Sequence, residues 1–234
     1  MYRRSLILAF AVAILAQNVA AQAAEEPADW KSPLTTRQKL NTPLVEVTPF
    51  VFEERRYLLE NWQKHWELPN PTNGHRYQED QVRIRDVEKD EIVSVALVGH
   101  GLGMALVWEG RVYVFAGDWG SSKKWHIKRI SMTSSDDLKN WSPPVDVLAA
   151  NPDERLFNVS VCRGDGRFFM LVETNDPRWP AFTFKYFESD GLRQWKQIPD
   201  ALYGTKKYVG GPALYHFDGT FYTLYLQSLG GGKY

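Results

Sequence analysis

Apolar and polar positions alternate along this chain in short runs, and the runs return in a fixed order about every 55 residues. Each unit has an apolar run, a tight turn of Gly or charged residues, an aromatic run and, later, a Trp. The unit reads VTPFVFEERRYLLEN around Glu54, MALVWEGRVYVFAG around Gly110, NVSVCRGDGRFFMLVE around Gly166 and GGPALYHFDGTFYTLYLQ around Gly219. The turn centres step by 56, 56 and 53 residues, and SSDDLKNW, ending at Trp141, returns 54 residues later as ESDGLRQW, ending at Trp195. Short strands repeated at this period predict an all-β fold, a β-propeller.

Period-2 patterning sets the expected strands. The second blade takes Met104 to Trp108, Arg111 to Ala116, Ile127 to Thr133 and Trp141 to Val147. The third takes Asn158 to Cys162, Arg167 to Glu173, Phe182 to Glu188 and Trp195 to Ile198. The first takes Pro49 to Phe52, Tyr57 to Glu60, Val82 to Arg85 and Ile92 to Val95, and a fourth begins at Pro212. That makes about three and a half blades, and a ring of blades must close to bury its faces. The expectation is therefore a propeller domain over 43–234, incomplete at its C-terminus, within a longer protein.

The N-terminus reads differently. Arg3 and Arg4 precede an apolar stretch from Leu6 to Ala16, too short to span a bilayer, with small residues at Val19, Ala21 and Ala23. Residues 1–24 are expected to be an export signal and 25–42 an N-terminal extension, giving a periplasmic or secreted protein with no membrane partner after cleavage. Cys162, the only cysteine, allows no intrachain disulfide and sits in the apolar run NVSVCRG as an inert thiol. With 28 basic and 28 acidic residues the chain carries no net charge, which removes the electrostatic case for nucleic acid or an anionic membrane.

The connections from second to third strands are long, at 61–81, 117–126 and 174–181, and hold Trp62, Trp66, Trp119, Trp125 and Trp179. Indoles on a loop-rich face stack on the apolar faces of sugar rings, or else pack the loops onto the blades. His65 and His75 share a loop without the paired spacing of a zinc site, so no metal or other cofactor is expected.

The strings SDDLKNW and SDGLRQW resemble the S-x-D-L-x-x-W blade motif of the five-bladed β-propeller glycoside hydrolases, the arabinanases, xylosidases and fructosidases. GGPALYHFDGTFYTLYLQS resembles a strand pair of the same group. The resemblance runs from about residue 43 to 228 and implies five blades in the whole chain, a carbohydrate substrate and catalysis by carboxyl groups. That group places an Asp before Pro in the first blade and a Glu before Pro in a later one. This chain has Thr48 before Pro49 and Gly211 before Pro212, while Asn175, Asp176 and Pro177 follow a second strand instead of opening a first.

Second strands end at the rim where first strands begin, which brings Glu60, Asp118 and Glu173 forward as a converging set. Glu173, after the apolar run MLV, is expected to be desolvated and to act as the acid, Asp118 as base or nucleophile, and Glu60 as their modulator. Arg155, Asn158 and His100 at the starts of first strands, with Trp62, Trp119 and Trp179, complete the expected substrate site. A non-catalytic carbohydrate-binding propeller is the rival expectation. A six-bladed sialidase-like enzyme, to whose Asp-box turn SSDDLKNW bears a faint similarity, is the third.

Overall fold

A computed structural model describes residues 44, 46–64, 77–120, 126–179 and 182–228. The expected signal and extension, with His65, His75, Trp66 and Trp125, lie outside them. The described residues form an all-β array of three four-stranded antiparallel sheets and one two-stranded sheet.

The first sheet contains β1 (Thr48–Phe52), β2 (Arg55–Trp62), β3 (Gln81–Asp86) and β4 (Glu91–Val98). β5 (His100–Trp108), β6 (Arg111–Asp118), β7 (Arg129–Ser135) and β8 (Val145–Ala149) form the second. The third has β9 (Arg155–Gly164), β10 (Arg167–Asn175), β11 (Thr183–Ser189) and β12 (Lys196–Tyr203). β13 (Val209–Phe217) and β14 (Thr220–Gln227) form the fourth. Each four-stranded sheet is a meander, so every blade places its strands in sequence order.

The turns expected at the four repeat centres are two-residue hairpins in which both central residues have positive φ: Glu53 and Glu54, Glu109 and Gly110, Asp165 and Gly166, Asp218 and Gly219. Such turns match the right-handed twist of the strands they join and favour Gly at the second place. Only Glu54 puts a side chain there, with φ at 61°. Glu54→Gly is therefore expected to stabilise the fold by up to about 1 kcal/mol, raising Tm by roughly 2–4 °C. An unchanged or lower Tm would show that the turn is not strained.

Three apolar clusters join the blades. Leu59, Ile84, Val112 and Val114 lie between the first and second sheets, and Phe115, Met132, Met170 and Val172 between the second and third. Leu171, Phe184 and Leu214 lie between the third and fourth. The repeated motif serves this packing. Leu138 and Leu192 are buried, while Trp141 and Trp195 are partly buried against the preceding blade, with Trp141 Nε1 donating to Ser94 Oγ at 3.3 Å and the Trp195 ring meeting Phe115 edge-on. Neither Trp opens a strand as expected, since β8 starts at Val145 and β12 at Lys196.

One irregularity recurs at the inner end of the first strand. In the third sheet Val172 pairs with Val159 and Thr174 with Leu156, so Glu173 alone faces Phe157 and Asn158. Similar register shifts put Ala116 opposite Leu102 and Gly103, and Tyr225 opposite Gly211 and Pro212. Such bulges bend a strand end and re-aim its side chains. Here they shape the place where the first strands meet.

Candidate functional site

The first strands of all four sheets wall a cavity of about 480 Å³. One carboxyl group lines it, from Glu46 just before β1, and a second, from Glu173 near the end of β10, lies directly behind the lining residues Asn158 and Gly211. Asn158 Nδ2 donates to both, at 2.9 Å to Glu173 Oε2 and 3.4 Å to Glu46 Oε1. One amide nitrogen thus holds the pair within the separation, under roughly 10 Å, at which two carboxyl groups act on one glycosidic bond.

Glu173 is only 3% exposed. Its Oε2 also accepts the backbone N–H of Gly211 at 3.0 Å, so both donors land on one oxygen and Oε1 is left to carry a proton. Burial pushes this carboxyl above its ordinary value, the Asn158 and Gly211 donors oppose the shift, and the nearby Glu46 charge adds to it. Glu46 is exposed where it lines the cavity, yet protein surrounds its carboxyl on the other sides. Desolvation raises it too, again opposed by Asn158.

Glu46 sits in a conformation that side chains disfavour, with φ at 58°. Asn61 holds it there: its Nδ2 donates to the Glu46 carbonyl, and its Oδ1 accepts from Gly103 N at 2.9 Å. A Cβ on Gly103 would stand 2.6 Å from the Phe115 carbonyl, so only glycine lets this strand come close enough. Local backbone strain kept by surrounding bonds is a feature of sites that position a reactive group.

Glu60 and Asp118 do not join this pair. Counting along the second strands from the arginine after the turn, Glu60 is the fifth residue beyond Arg55, Asp118 the seventh beyond Arg111 and Glu173 the sixth beyond Arg167. Side chains alternate between faces at every step, so the first two point to the opposite side. Glu60, 0% exposed, is held by Arg83 Nε at 2.9 Å and Arg85 Nε at 2.5 Å. Asp118 meets Arg129 at 3.2 Å and accepts from Gly120 N at 2.7 Å. The equivalent of Glu173 in the first blade is Asn61, and in the second it is Gly117.

The other expected contacts divide in the same way. Asn158 is at the centre of the site, whereas His100 pairs across the strand with Asp118 and places Nδ1 2.8 Å from the Val98 carbonyl. Arg155 opens its strand opposite Asn175 and does not line the cavity. Trp119, 2% exposed, is core, its ring 5.0 Å from that of Tyr77. Trp62 is buried between the Arg83 and Lys64 cations. These two rings pack loops onto blades and offer no face to a sugar. Trp179 is half-buried beside Arg178. Burial pushes the Cys162 thiol up to about 11, as an inert side chain requires. Among the described residues no cluster of His, Cys, Asp or Glu is placed to hold a metal ion.

Glu46 went unnoticed in the sequence because it precedes its strand in LVEVTPF, outside the repeat. The signal was the vacancy itself. Of the two family positions that lack carboxylates, Thr48 lies two residues after Glu46, and Gly211 donates its N–H to Glu173.

The raised carboxyls carry a cost in stability that depends on pH. Below about pH 4 both are protonated, folded or unfolded. As pH rises the unfolded chain releases protons that the folded one retains, so stability falls until the pH passes the folded-state values. Glu173→Gln is accordingly expected to be more stable than the parent at pH 8, with the advantage gone by pH 4. Urea midpoints at the two pH values test this, and an equal difference at both would place the effect elsewhere.

No protein-family model matches this chain, and no curated protein does. Among solved structures it is similar to a thermostable family-43 glycoside hydrolase, at 10% identity and TM-score 0.58, over 78% of this chain and 65% of that one. It is also similar to the Penicillium chrysogenum α-L-arabinanase complexed with arabinobiose, at 14% identity and TM-score 0.51, over 79% and 62%. The catalytic domain of the Coprinopsis cinerea family-62 α-L-arabinofuranosidase matches at 12% identity and TM-score 0.52, over 80% and 68%. The chain thus spans less than two thirds of the length of the first two. Its fold is that of the five-bladed β-propeller glycoside hydrolases.

Proposed function

We propose that the protein is an exported glycoside hydrolase that cleaves a neutral or mildly anionic oligo- or polysaccharide with Glu46 and Glu173. The observation that carries this reading is the pair of raised carboxyl groups sharing the Asn158 amide at the cavity where the four first strands meet, Glu46 lining it and Glu173 just behind its wall. The fold likeness supports it, as does the arabinobiose held by the arabinanase among the similar structures. Export rests on the charged, apolar and small residues of the N-terminal stretch.

In the reaction Glu173, whose burial favours the protonated form, passes the Oε1 proton to the glycosidic oxygen as the C–O bond breaks. Glu46, which lines the cavity, acts in its ionised form. Its carboxylate faces the positive charge that develops on the sugar and takes the proton from the water that attacks the anomeric carbon. Asn158 orients both groups and stabilises whichever is charged.

A specific observation favours the rival, a propeller that binds sugar without cleaving it. Glu173 accepts from Gly211 N as Asn61 accepts from Gly103 N, so part of its role is to clasp neighbouring blades. Aryl glycosides and neutral oligosaccharides offered to the full-length protein separate the two. Turnover by the parent, with kcat reduced about 10²–10⁴-fold and KM little changed in Glu46→Gln, is the expected result. Binding without turnover across the panel would establish the rival.

A further inference from the structure

A second cavity, of about 720 Å³, opens between the second and third blades at the end opposite the carboxyl pair. Phe168, which lines it, lies five residues before Glu173 on β10, roughly 17 Å of strand. Its origin is legible by comparing blades. The arginine after each turn normally reaches a carboxylate on the third strand: Arg55 bonds the buried Asp86, and Arg167 bonds Glu188 at 2.7 Å. In the second blade that place, opposite Tyr113, is Ser134. Arg111 finds no carboxylate there and keeps only its bonds to Asp136 on the surface, at 2.5 and 2.6 Å, the counterpart of the bond that Arg167 makes to Asp190 at 2.9 Å in addition to Glu188. The space that an ion pair occupies in the first blade is left open.

Its walls are suited to a ligand. Trp108, Tyr113 and Phe168 supply aromatic surface. The indole is fixed edge-on to Phe168 with ring centroids 5.9 Å apart, and the Arg163 guanidinium lies 4.0 Å from its centroid. Asp190, Arg193 and Gln194 fringe the opening. The Arg193 and Gln194 side chains are exposed and make no hydrogen bond or ion pair among the described residues. The volume falls within the range of about 300–1,000 Å³ found for small-molecule sites.

We propose that this crevice is a second carbohydrate site, which holds a neutral oligosaccharide against Trp108 and Tyr113 while Asp190, Arg193 and Gln194 bond its hydroxyls. Fixed aromatic platforms suit the apolar faces of sugar rings, and planar polar side chains of both signs pair with hydroxyls, which donate and accept. Because acidic and basic groups are balanced around the opening, a neutral ligand fits better than an ion. The choice of ligand class rests on the carbohydrate reading above, but the site does not depend on Glu46 or Glu173.

The test is retention of the full-length protein in gels containing neutral arabinan, xylan or β-glucan, alongside turnover of a small aryl glycoside that cannot reach both sites. Arg193→Ala/Gln194→Ala changes only exposed side chains and is expected to weaken retention about 5- to 30-fold with turnover unchanged. Trp108→Phe, which keeps an aromatic ring in the packing, should weaken it as well. Unchanged retention in the double variant, or no retention of the parent by any of the three polysaccharides, would overturn the proposal, while aryl glycoside turnover would leave the catalytic reading standing. Retention that depends on Arg193 and Gln194 in a protein without turnover would uphold the second site and remove the catalytic reading.

Discussion

Glu173→Gln is expected to reduce hydrolysis about 10²–10⁴-fold in kcat while leaving sugar binding close to that of the parent. The amide keeps the shape of the side chain and one acceptor oxygen, which can still receive the N–H groups of Asn158 and Gly211. It cannot deliver a proton from the place of Oε1. Asn61 shows that an amide is sufficient for the clasp, since it accepts the equivalent backbone N–H of Gly103 at 2.9 Å. Blade packing in the variant should therefore be unharmed.

Glu173→Ala separates the two roles. It leaves the Gly211 N–H without its acceptor and should cost about 1–3 kcal/mol of stability in addition to activity. If Glu173→Gln turned over substrate at the parental rate, Glu173 would be a clasp alone and the acid would lie elsewhere. Because Glu46 and Glu173 interact, their protons leave in two steps that belong to the pair. The pH–rate profile of the parent should rise and fall on limbs that both lie above the ordinary carboxylate range.

The fold was legible because a propeller writes itself several times in one chain. Each turn centre, from Glu54 to Gly219, lies in a two-residue hairpin, and the repeated Leu and Trp of SSDDLKNW and ESDGLRQW pack between blades. Carboxylates at strand ends were a weaker guide. A strand end is placed to within a residue or two by pattern alone, and one residue decides which face a side chain takes. Glu60 and Asp118 fall one step to either side of the register that Glu173 holds, and each is drawn into an ion pair. Two of the loop indoles, Trp119 and Trp62, are core for another reason. Composition cannot tell a ring that covers a blade from one that waits for a ligand, and Trp119 and Trp62 do the former. Glu46 required the cavity itself to be seen, because its placement depends on Asn61 from the next strand and Asn158 from another blade.

Lys185→Met is expected to destabilise the protein by about 3–5 kcal/mol, the largest stability effect among these predictions. Lys185 lies on β11, only 2% exposed, with Nζ 2.5 Å from Glu154 Oε1 and 2.8 Å from Asp176 Oδ2. The two carboxylates belong to the segments just before β9 and just after β10, so one ammonium ties together the inner end of the antiparallel strand pair that carries Asn158 and Glu173. Removing it leaves two buried carboxylates facing each other, with Asn151 to hold one and Arg178 the other. The bonds from Arg178, and then those from Lys185, keep the Asp176 carboxyl below its ordinary value. That contribution is therefore present above the unfolded value near pH 4 and is lost as the solution is acidified. The penalty of Lys185→Met should be greatest at neutral pH and shrink below about pH 4, where the carboxylates can take up protons. A triple variant that adds Glu154→Gln and Asp176→Asn should recover much of the loss, since a buried ion pair replaced as a unit costs far less than one broken in half. Denaturant unfolding of the three proteins at pH 7 decides the matter: a Lys185→Met variant within about 1 kcal/mol of the parent would mean that water reaches the triad and that it does not fix the inner rim of the third blade.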